Sequence, residues 1–204
     1  MTKLTVGIVD YGVGNHNSVH HTLNYLGLRC RVSDDHMILK TCDLLLLPGV
    51  GAFRPAMQAL EGKGLDRFLA EQVARQKPIL GICLGMQLLG KSSSENGRTV
   101  GLGLIPGDVV PLGIGCWHIG WNTATLLKAD PLFELAHNWD FYFNHSYAYQ
   151  AMDEFVVCTT SFGDKRFASV VRAGKVAGIQ FHPEKSQRAG HALLRSVVEG
   201  LCDA

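Results

Sequence analysis

The chain has 204 residues, of which 47% are hydrophobic and 18% are charged. This composition is too apolar for a disordered chain, and the length favours a single domain spanning residues 1–204. Nineteen Lys and Arg residues against eighteen Asp and Glu residues leave a net charge of +1, without the basic excess typical of proteins that bind nucleic acid or anionic membranes.

The first half of the chain alternates strand-like and helix-like segments. Strands are predicted at residues 4–9, 28–32, 44–47 and 79–82. Asn15 can cap a first helix that Gly27 ends, and apolar residues from Leu65 to Val73 line one face of a later helix. This alternation predicts an α/β fold: a flavodoxin-like, doubly wound, mostly parallel sheet with helices on both faces.

The second half is richer in predicted strands and less periodic. Short strands are predicted at residues 141–143, 155–160, 168–172 and 176–181. Residues 91–97 are predicted to form a polar loop, and Gln187 to Leu201 a closing helix whose apolar positions share one face. No repeat or linker interrupts the sequence, which also favours one domain.

Neither a membrane span nor a secretory signal is predicted. No stretch approaches the ~20 apolar residues that cross a bilayer, and Gly7 and Asp10 interrupt the first short apolar run. The six cysteines form no C-x-x-C pair and no short framework, so reduced thiols are expected. Together these features predict a cytoplasmic protein.

Cys83 is the strongest candidate for a chemically active residue. It ends a predicted buried strand, lies between Gly81 and Gly85, and precedes a helix-forming run, which is the pattern of a nucleophile elbow. The helix presents free N–H groups and the positive end of its dipole, which lower a thiol pKa and can hold an oxyanion. A cysteine on a strand is more often a small buried hydrophobe, and the other five cysteines are assigned that role. For Cys83 the two glycines favour a nucleophile.

His182 is the candidate base for this thiol, chosen from nine histidines. It follows a predicted strand, and Pro183 favours an extended backbone at His182. In an extended segment residues i and i+2 project to the same side, so Glu184 can reach the imidazole and orient it. The alternative is a loop histidine with a solvated glutamate, so the histidine motif alone is a weak signal.

Neither a metal nor a cofactor is expected. His16 and His20 could share a helix face, but no acidic or cysteine partner lies at a known ligand spacing. Gly12 and Gly14 resemble the start of a dinucleotide-binding fingerprint, yet Asn17 occupies the third glycine position. Nucleotide binding is therefore discounted.

Six motifs along the chain resemble those of the class I, triad-type glutamine amidotransferases. They are residues 10–15 (Asp-Tyr-Gly-Val-Gly-Asn), 48–51 (Pro-Gly-Val-Gly), 81–89 around the cysteine, 120–122 (Gly-Trp-Asn), 145–147 (His-Ser-Tyr) and 178–186 with His-Pro-Glu-Lys-Ser. The resemblance covers essentially the whole chain, and the cysteine elbow combined with His-Pro-Glu is specific for the superfamily. Within the family, the other motifs are similar to those of glutaminase subunits that serve a separate synthase subunit.

The resemblance implies a role for each matching residue. Cys83 would attack the carboxamide carbon of glutamine, His182 would relay protons, and Glu184 would orient His182. A backbone N–H from the 49–51 loop, after a peptide flip, would join that of the elbow helix in an oxyanion hole formed by Gly49, Val50, Gly51 and Leu84. The substrate glutamine would be held by Gln87, Glu95, Ser146 and Tyr147. The residues implied to face the synthase subunit are Asn15, Trp121, Tyr142 and Lys185.

The size of the chain favours a partner, because an amidotransferase-like domain fills it and leaves no second domain to bind an ammonia acceptor. The resemblance implies a heterodimer with a barrel-type cyclase or synthase subunit. Trp117 and Asn144 depart from the family's usual residues, which leaves a second hypothesis open: a glutaminase feeding a sugar-modifying amidotransferase of surface polysaccharide synthesis. A third hypothesis is a non-catalytic binding protein of the same fold.

Overall fold

The computed structural model of the protein describes residues 4–113, 115–134 and 139–203. Its helices are α1 (His16–Tyr25), α2 (His36–Lys40), α3 (Phe53–Gly62), α4 (Leu65–Ala74), α5 (Leu84–Leu88) and α6 (Gln187–Asp203). Its strands are β1 (Thr5–Val9), β2 (Arg29–Ser33), β3 (Leu44–Leu47), β4 (Ile79–Ile82), β5 (Ser92–Ser93), β6 (Thr99–Val100), β7 (Gly107–Pro111), β8 (His118–Leu126), β9 (Trp139–His145), β10 (Tyr147–Ala151), β11 (Val156–Phe162), β12 (Lys165–Ala173) and β13 (Val176–Ile179). Short 3₁₀ turns lie at Asp153–Phe155 and Pro183–Lys185.

The parallel part of the sheet has the strand order β2-β1-β3-β4-β13. This is the flavodoxin-like order, in which the winding reverses beside β1 and ligands bind at the carboxyl ends of the strands. The predicted flavodoxin-like α/β fold with a strand-rich second half is therefore confirmed.

The second part of the sheet begins at β12, which lies antiparallel to β13. From β12 the sheet continues through β10, β7, β5 and β6. β12 also pairs with β11, which leads through β8 to β9. This branch brings β9 and β10 to the same end of the molecule as the last parallel strand.

The core lies on both faces of the parallel strands, and β3 shows why. All four of its leucines are fully buried, as expected for a strand covered by helices on both sides. Leu44 and Leu46 pack in the cluster that includes α1 and α6, whereas Leu45 and Leu47 pack in the cluster that includes α3, α4 and α5. Within the described ranges, no helix combines the length and apolar character that a bilayer span requires.

Some predicted elements differ from the structure. The polar loop over residues 91–97 is wrong in part, because Ser92 and Ser93 form β5 and pair with both β6 and β7. The main-chain groups of these serines form hydrogen bonds with the neighbouring strands, and the pattern of side chains in the sequence does not indicate this pairing. The last parallel strand ends at Ile179, two residues earlier than predicted. The elements without a sequence-based prediction were α2, α3, β6, β7, β8 and β10.

Candidate active site

Cys83 lies at a sharp turn between β4 and α5. Its backbone has φ +53° and ψ −111°, a conformation that costs a side-chain-bearing residue about 1–3 kcal/mol. The flanking glycines are required by close approach: a Cβ on Gly85 would lie 1.8 Å from the carbonyl oxygen of Leu47, and one on Gly81 would lie 2.6 Å from that of Gly85. The turn therefore has the strained elbow geometry that those glycines predict.

The thiol of Cys83 is buried and faces groups from two neighbouring segments. Its Sγ lies 3.8 Å from Nε2 of Gln180 and 3.9 Å from the carbonyl oxygen of Asn144. The Cys83 N–H donates to the carbonyl of Ile179 at 2.7 Å, because β13 lies beside β4 in parallel register. The two strands thus deliver residue 83 and residues 180–184 to one edge of the sheet.

His182 and Glu184 form a buried pair at this edge. Nδ1 of His182 lies 2.8 Å from Oε1 of Glu184. His182 is extended, as predicted, but Glu184 lies in the 3₁₀ turn that follows and not in an extended segment. The carboxylate reaches the ring by a tight turn, so the i/i+2 argument is wrong in its geometry although the contact exists.

The backbone of His182 is held from both sides. Its N–H donates to the carbonyl of Tyr142 at 2.8 Å, and its carbonyl accepts from the buried Ser186 hydroxyl at 2.6 Å. The same hydroxyl accepts from the Tyr142 N–H at 2.9 Å. Strand β9 and the turn after β13 therefore fix the backbone of His182, from which the imidazole projects.

The imidazole of His182 and the side chain of Cys83 line the same cavity. Burial favours the neutral ring, but negative charge on Cys83 and the hydrogen-bonded carboxylate of Glu184 outweigh burial and raise the pKa of His182 to about 10. Negative charge at Cys83 and Glu184 therefore favours the charged form of the His182 ring. This arrangement can perform nucleophilic attack and proton relay.

A cavity of about 460 Å³ opens over Cys83 and His182. Its lining includes all of the residues implied to hold glutamine and most of the implied oxyanion hole: Val50, Gly51, Leu84, Gln87, Glu95, Ser146 and Tyr147. Gly49 does not line the cavity but packs against α5, where an added Cβ would lie 2.8 Å from Cβ of Leu84. Trp117, which is exposed and directly precedes β8, also lines the cavity.

Two of the polar residues in the cavity wall are held by hydrogen bonds within the protein. Glu95 accepts the N–H of Phe53 at 2.8 Å, which caps the start of α3. Gln87 donates from Nε2 to the carbonyl of Tyr147 and to Oε1 of Gln180, both at 3.0 Å. These contacts orient the carboxylate and the carboxamide before any substrate arrives.

Three of the four residues implied to face a partner are in mutual contact. Trp121, Tyr142 and Lys185 lie together beside His182: the Trp121 and Tyr142 rings are 6.2 Å apart, and Nζ of Lys185 is 5.9 Å from the Tyr142 ring centroid. Trp121 is 50% exposed. Asn15 is the N-cap of α1, where its side chain accepts the N–H of Ser18, and α1 packs against the 3₁₀ turn that contains Lys185.

Sequence reasoning missed several residues that shape this site. Gln180 is fully buried against the thiol, and Tyr11 donates its hydroxyl to the carbonyl of Pro48 at 2.6 Å. A signal for Gln180 existed, because it precedes His182 by two residues at the end of a strand and so leaves on the same side. Tyr11 gave no such signal, since its partner lies 37 residues away.

Comparison with known proteins places the chain among glutamine-dependent enzymes. The sequence model of the family described as glutamine amidotransferase class-I matches residues 7–199. The chain is 43% identical over 196 residues to the imidazole glycerol phosphate synthase subunit HisH of Lacticaseibacillus casei (strain BL23), covering 94% of each chain. It is 42% identical over 200 residues to the protein of the same name from Chlorobaculum tepidum, covering 95% of this chain and 99% of the relative.

Solved structures show the same fold at lower sequence identity. The structure of PurLQS from Thermotoga maritima matches with a TM-score of 0.78 and 23% identity, covering 98% of this chain and all of the matched chain. A glutamine amidotransferase from Thermotoga maritima matches with a TM-score of 0.74 and 17% identity over the full length of both chains.

Proposed function

Because this chain belongs to the class-I glutamine amidotransferase family, we propose that it is the glutaminase subunit of an imidazole glycerol phosphate synthase, the enzyme for which relatives at 42–43% identity are named. It hydrolyses glutamine to glutamate and ammonia, and it passes the ammonia to a barrel-type cyclase subunit. That subunit makes imidazole glycerol phosphate and AICAR in histidine biosynthesis. The match over residues 7–199 supports a single amidotransferase domain.

The observation that carries the chemistry is that Cys83 and His182 line one cavity, with Glu184 2.8 Å from the far nitrogen of the His182 ring. The Cys83 thiolate attacks the carboxamide carbon of glutamine and forms a C–S bond. His182, as imidazolium, gives its proton to the leaving nitrogen when the C–N bond breaks, which releases ammonia. The neutral imidazole then takes a proton from water, which attacks the thioester and frees glutamate and the thiolate. Glu184 keeps the ring in position throughout.

The tetrahedral intermediate carries a negative oxygen that needs two donors. The N–H of Leu84 is the first, because Leu84 begins α5 directly after the nucleophile. The second comes from the Gly49–Gly51 loop after a peptide flip. Support for a movable loop is that Val50 is exposed and Gly51 has φ +106°, so this segment is bounded by a residue that tolerates large backbone rotation.

The Tyr11 hydroxyl fixes the start of this loop through its hydrogen bond to the Pro48 carbonyl. Burial, and to a smaller extent a charge on Cys83, raises the pKa of Tyr11, so the hydroxyl remains a donor. We expect Tyr11→Phe to lower the kcat for glutamine about tenfold, because the pivot of the flipping peptide is lost while the ring is kept. Steady-state glutamate formation with the partner present measures this.

Tyr149→Phe is the matched control. Tyr149 is equally buried and donates to the carbonyl of Ile105 at 2.8 Å, outside the cavity lining. Both variants should lose about 1 kcal/mol of stability, since each loses one buried hydrogen bond. Equal kcat values for the two variants would contradict the role assigned to Tyr11.

The proposed function is tested by a glutaminase assay with and without a purified barrel-type cyclase subunit and its ribonucleotide substrate. We expect slow glutamate formation by the isolated chain and at least about tenfold faster formation with both additions, because the partner completes the oxyanion hole. The relatives at 42–43% identity favour this partner over a sugar-modifying amidotransferase. Equal rates with and without the cyclase, or stimulation only by a sugar-modifying subunit, would refute the assignment.

A further inference from the structure

Two buried histidines outside the triad form a continuous hydrogen-bonded series beside the cavity. His118 and His145 lie directly opposite each other at the ends of β8 and β9. Nδ1 of His118 is 3.0 Å from Nε2 of His145, and Nδ1 of His145 is 2.7 Å from the carbonyl oxygen of Tyr147. At the other end, Nε2 of His118 is 3.1 Å from Nδ2 of Asn122.

The orientation of the Asn122 side chain is fixed by its other contacts. Its Oδ1 accepts the N–H of Thr123 at 2.8 Å, and its Nδ2 donates to the carbonyl of Ser161 at 2.9 Å. The group facing His118 is therefore the amide nitrogen, which can only donate. Nε2 of His118 must accept, so the hydrogen of this ring is on Nδ1.

The remaining hydrogen positions follow by elimination. Nδ1–H of His118 donates to Nε2 of His145, which must then be an acceptor. The hydrogen of His145 is left on Nδ1, where it meets the Tyr147 carbonyl, a group that can only accept. A single arrangement of two neutral rings satisfies every contact, and a hydrogen moved to either Nε2 would leave two donors or two acceptors face to face.

Burial also favours the neutral form of both rings. It lowers the pKa of His118, and it lowers the pKa of His145 to about 4, with smaller contributions from positive charge at His118 and His182 and against the raising effect of the Tyr147 carbonyl. Both rings are therefore neutral at pH 7.

The series continues to the nucleophile. The Tyr147 carbonyl that accepts from His145 also accepts from Nε2 of Gln87. The other hydrogen of that amide goes to Oε1 of Gln180, which turns Nε2 of Gln180 toward the Cys83 sulfur at 3.8 Å. With both hydrogens used, Gln87 has only its carbonyl oxygen left for a ligand in the cavity that it lines.

We propose that His118 and His145 are positioning residues of the glutamine pocket, which as a neutral pair with hydrogens on Nδ1 fix the Tyr147 carbonyl and, through it, the carboxamides of Gln87 and Gln180. Of the two, only His145 also lines the cavity. The pair acts by determining how the two carboxamides are oriented, so that Gln87 offers its oxygen to a ligand and Gln180 turns its nitrogen toward Cys83. The functional part rests on the proposed glutaminase activity, whereas the hydrogen positions do not.

The first test is nitrogen-15 NMR of the imidazole rings in the wild-type protein at pH 7, with signals assigned by His118→Phe and His145→Phe. We expect the hydrogen on Nδ1 and an acceptor nitrogen at Nε2 in both rings. A hydrogen on Nε2 of either ring, or a charged ring, overturns the proposal whether or not the protein is active.

The second test is His118→Phe, which keeps the aromatic packing. The His118 ring stacks on Phe143 at 4.6 Å and packs on Phe162 at 4.5 Å, so the variant removes only the two nitrogen contacts. We expect the KM for glutamine, and its Kd measured by calorimetry, to rise about tenfold while kcat falls by less than about threefold. His118→Gln, which keeps a donor and an acceptor, should restore most of the affinity.

The matched control is His36→Phe. His36 stacks on Phe68 at 4.6 Å, in α2, outside the cavity lining. Unchanged glutamine affinity in His118→Phe, or an equal loss in His36→Phe, overturns the proposal. A wild-type protein that binds glutamine but does not hydrolyse it would contradict the proposed function, and the calorimetric comparison would still decide the role of the pair.

Discussion

Replacing Cys83 by alanine lowers kcat for glutamine hydrolysis by about 10⁴-fold or more, because no other group can form the thioester. Its Sγ is the only sulfur among the residues that line the described cavity. The effect is measured as glutamate formed in the presence of the cyclase partner. Cys202→Ala, a half-buried thiol in α6 and outside that cavity, is the control and should retain full activity.

At residue 83 we expect glycine to give a more stable protein than alanine, the reverse of the usual order. At most sites glycine destabilises relative to alanine by about 0.5–1 kcal/mol, but Cys83 has φ +53°, where alanine is strained and glycine is not. We expect Cys83→Gly to be at least about 1 kcal/mol more stable than Cys83→Ala in urea unfolding. If Cys83→Gly is the less stable of the two, the elbow is not strained.

Replacing Glu184 by glutamine lowers kcat by about 10²-fold or more and lowers the pKa of His182. Burial already opposes the charged ring, and Glu184 is one of the two groups, after Cys83, that raise the pKa of His182 to about 10. Glutamine keeps an oxygen for Nδ1 but removes the charge. The pKa is measured by NMR titration of the His182 ring, alongside steady-state kinetics.

The sign of the accompanying pH effect on stability is fixed by linkage. A histidine whose pKa rises on folding from 6.5 to about 10 stabilises the folded state fully below pH 6.5, and this contribution is lost as pH rises through about 10. The free energy of unfolding should therefore fall more steeply over this interval in the wild type than in Glu184→Gln. Glu199→Gln, exposed on α6, is the control. An unchanged His182 pKa in Glu184→Gln would contradict the proposed pairing.

The parallel half of the fold could be predicted because its strands carry their own signal. β3 is four leucines between turn residues, and β4 ends in the glycine-flanked elbow. Strands β7 and β8 could not be predicted, because their buried and exposed residues do not alternate strictly along the chain. β5 is a pair of serines that becomes a strand only through its neighbours β6 and β7.

The residues of the site also fall into those that the sequence predicts and those that it does not. The triad was predictable because each member lies in a local pattern, the elbow at Cys83 and the histidine–proline–glutamate run. The roles of Tyr11, His118 and Gln180 come from partners 27 to 97 residues away, so no local pattern could reveal them. Ser186 lies within the recognised motif at residues 178–186. Its hydroxyl holds the His182 backbone together with Tyr142 of β9, and the motif gives no indication that β9 lies there.

The most direct measurement is covalent labelling with an electrophilic glutamine analogue, followed by peptide mapping of all six cysteines. If the sulfur at the elbow is the nucleophile, one equivalent of label is found on Cys83, added glutamine slows its attachment, and His182→Asn slows it further. Label spread over several cysteines, or attachment to Cys83 that glutamine does not slow, would contradict the account.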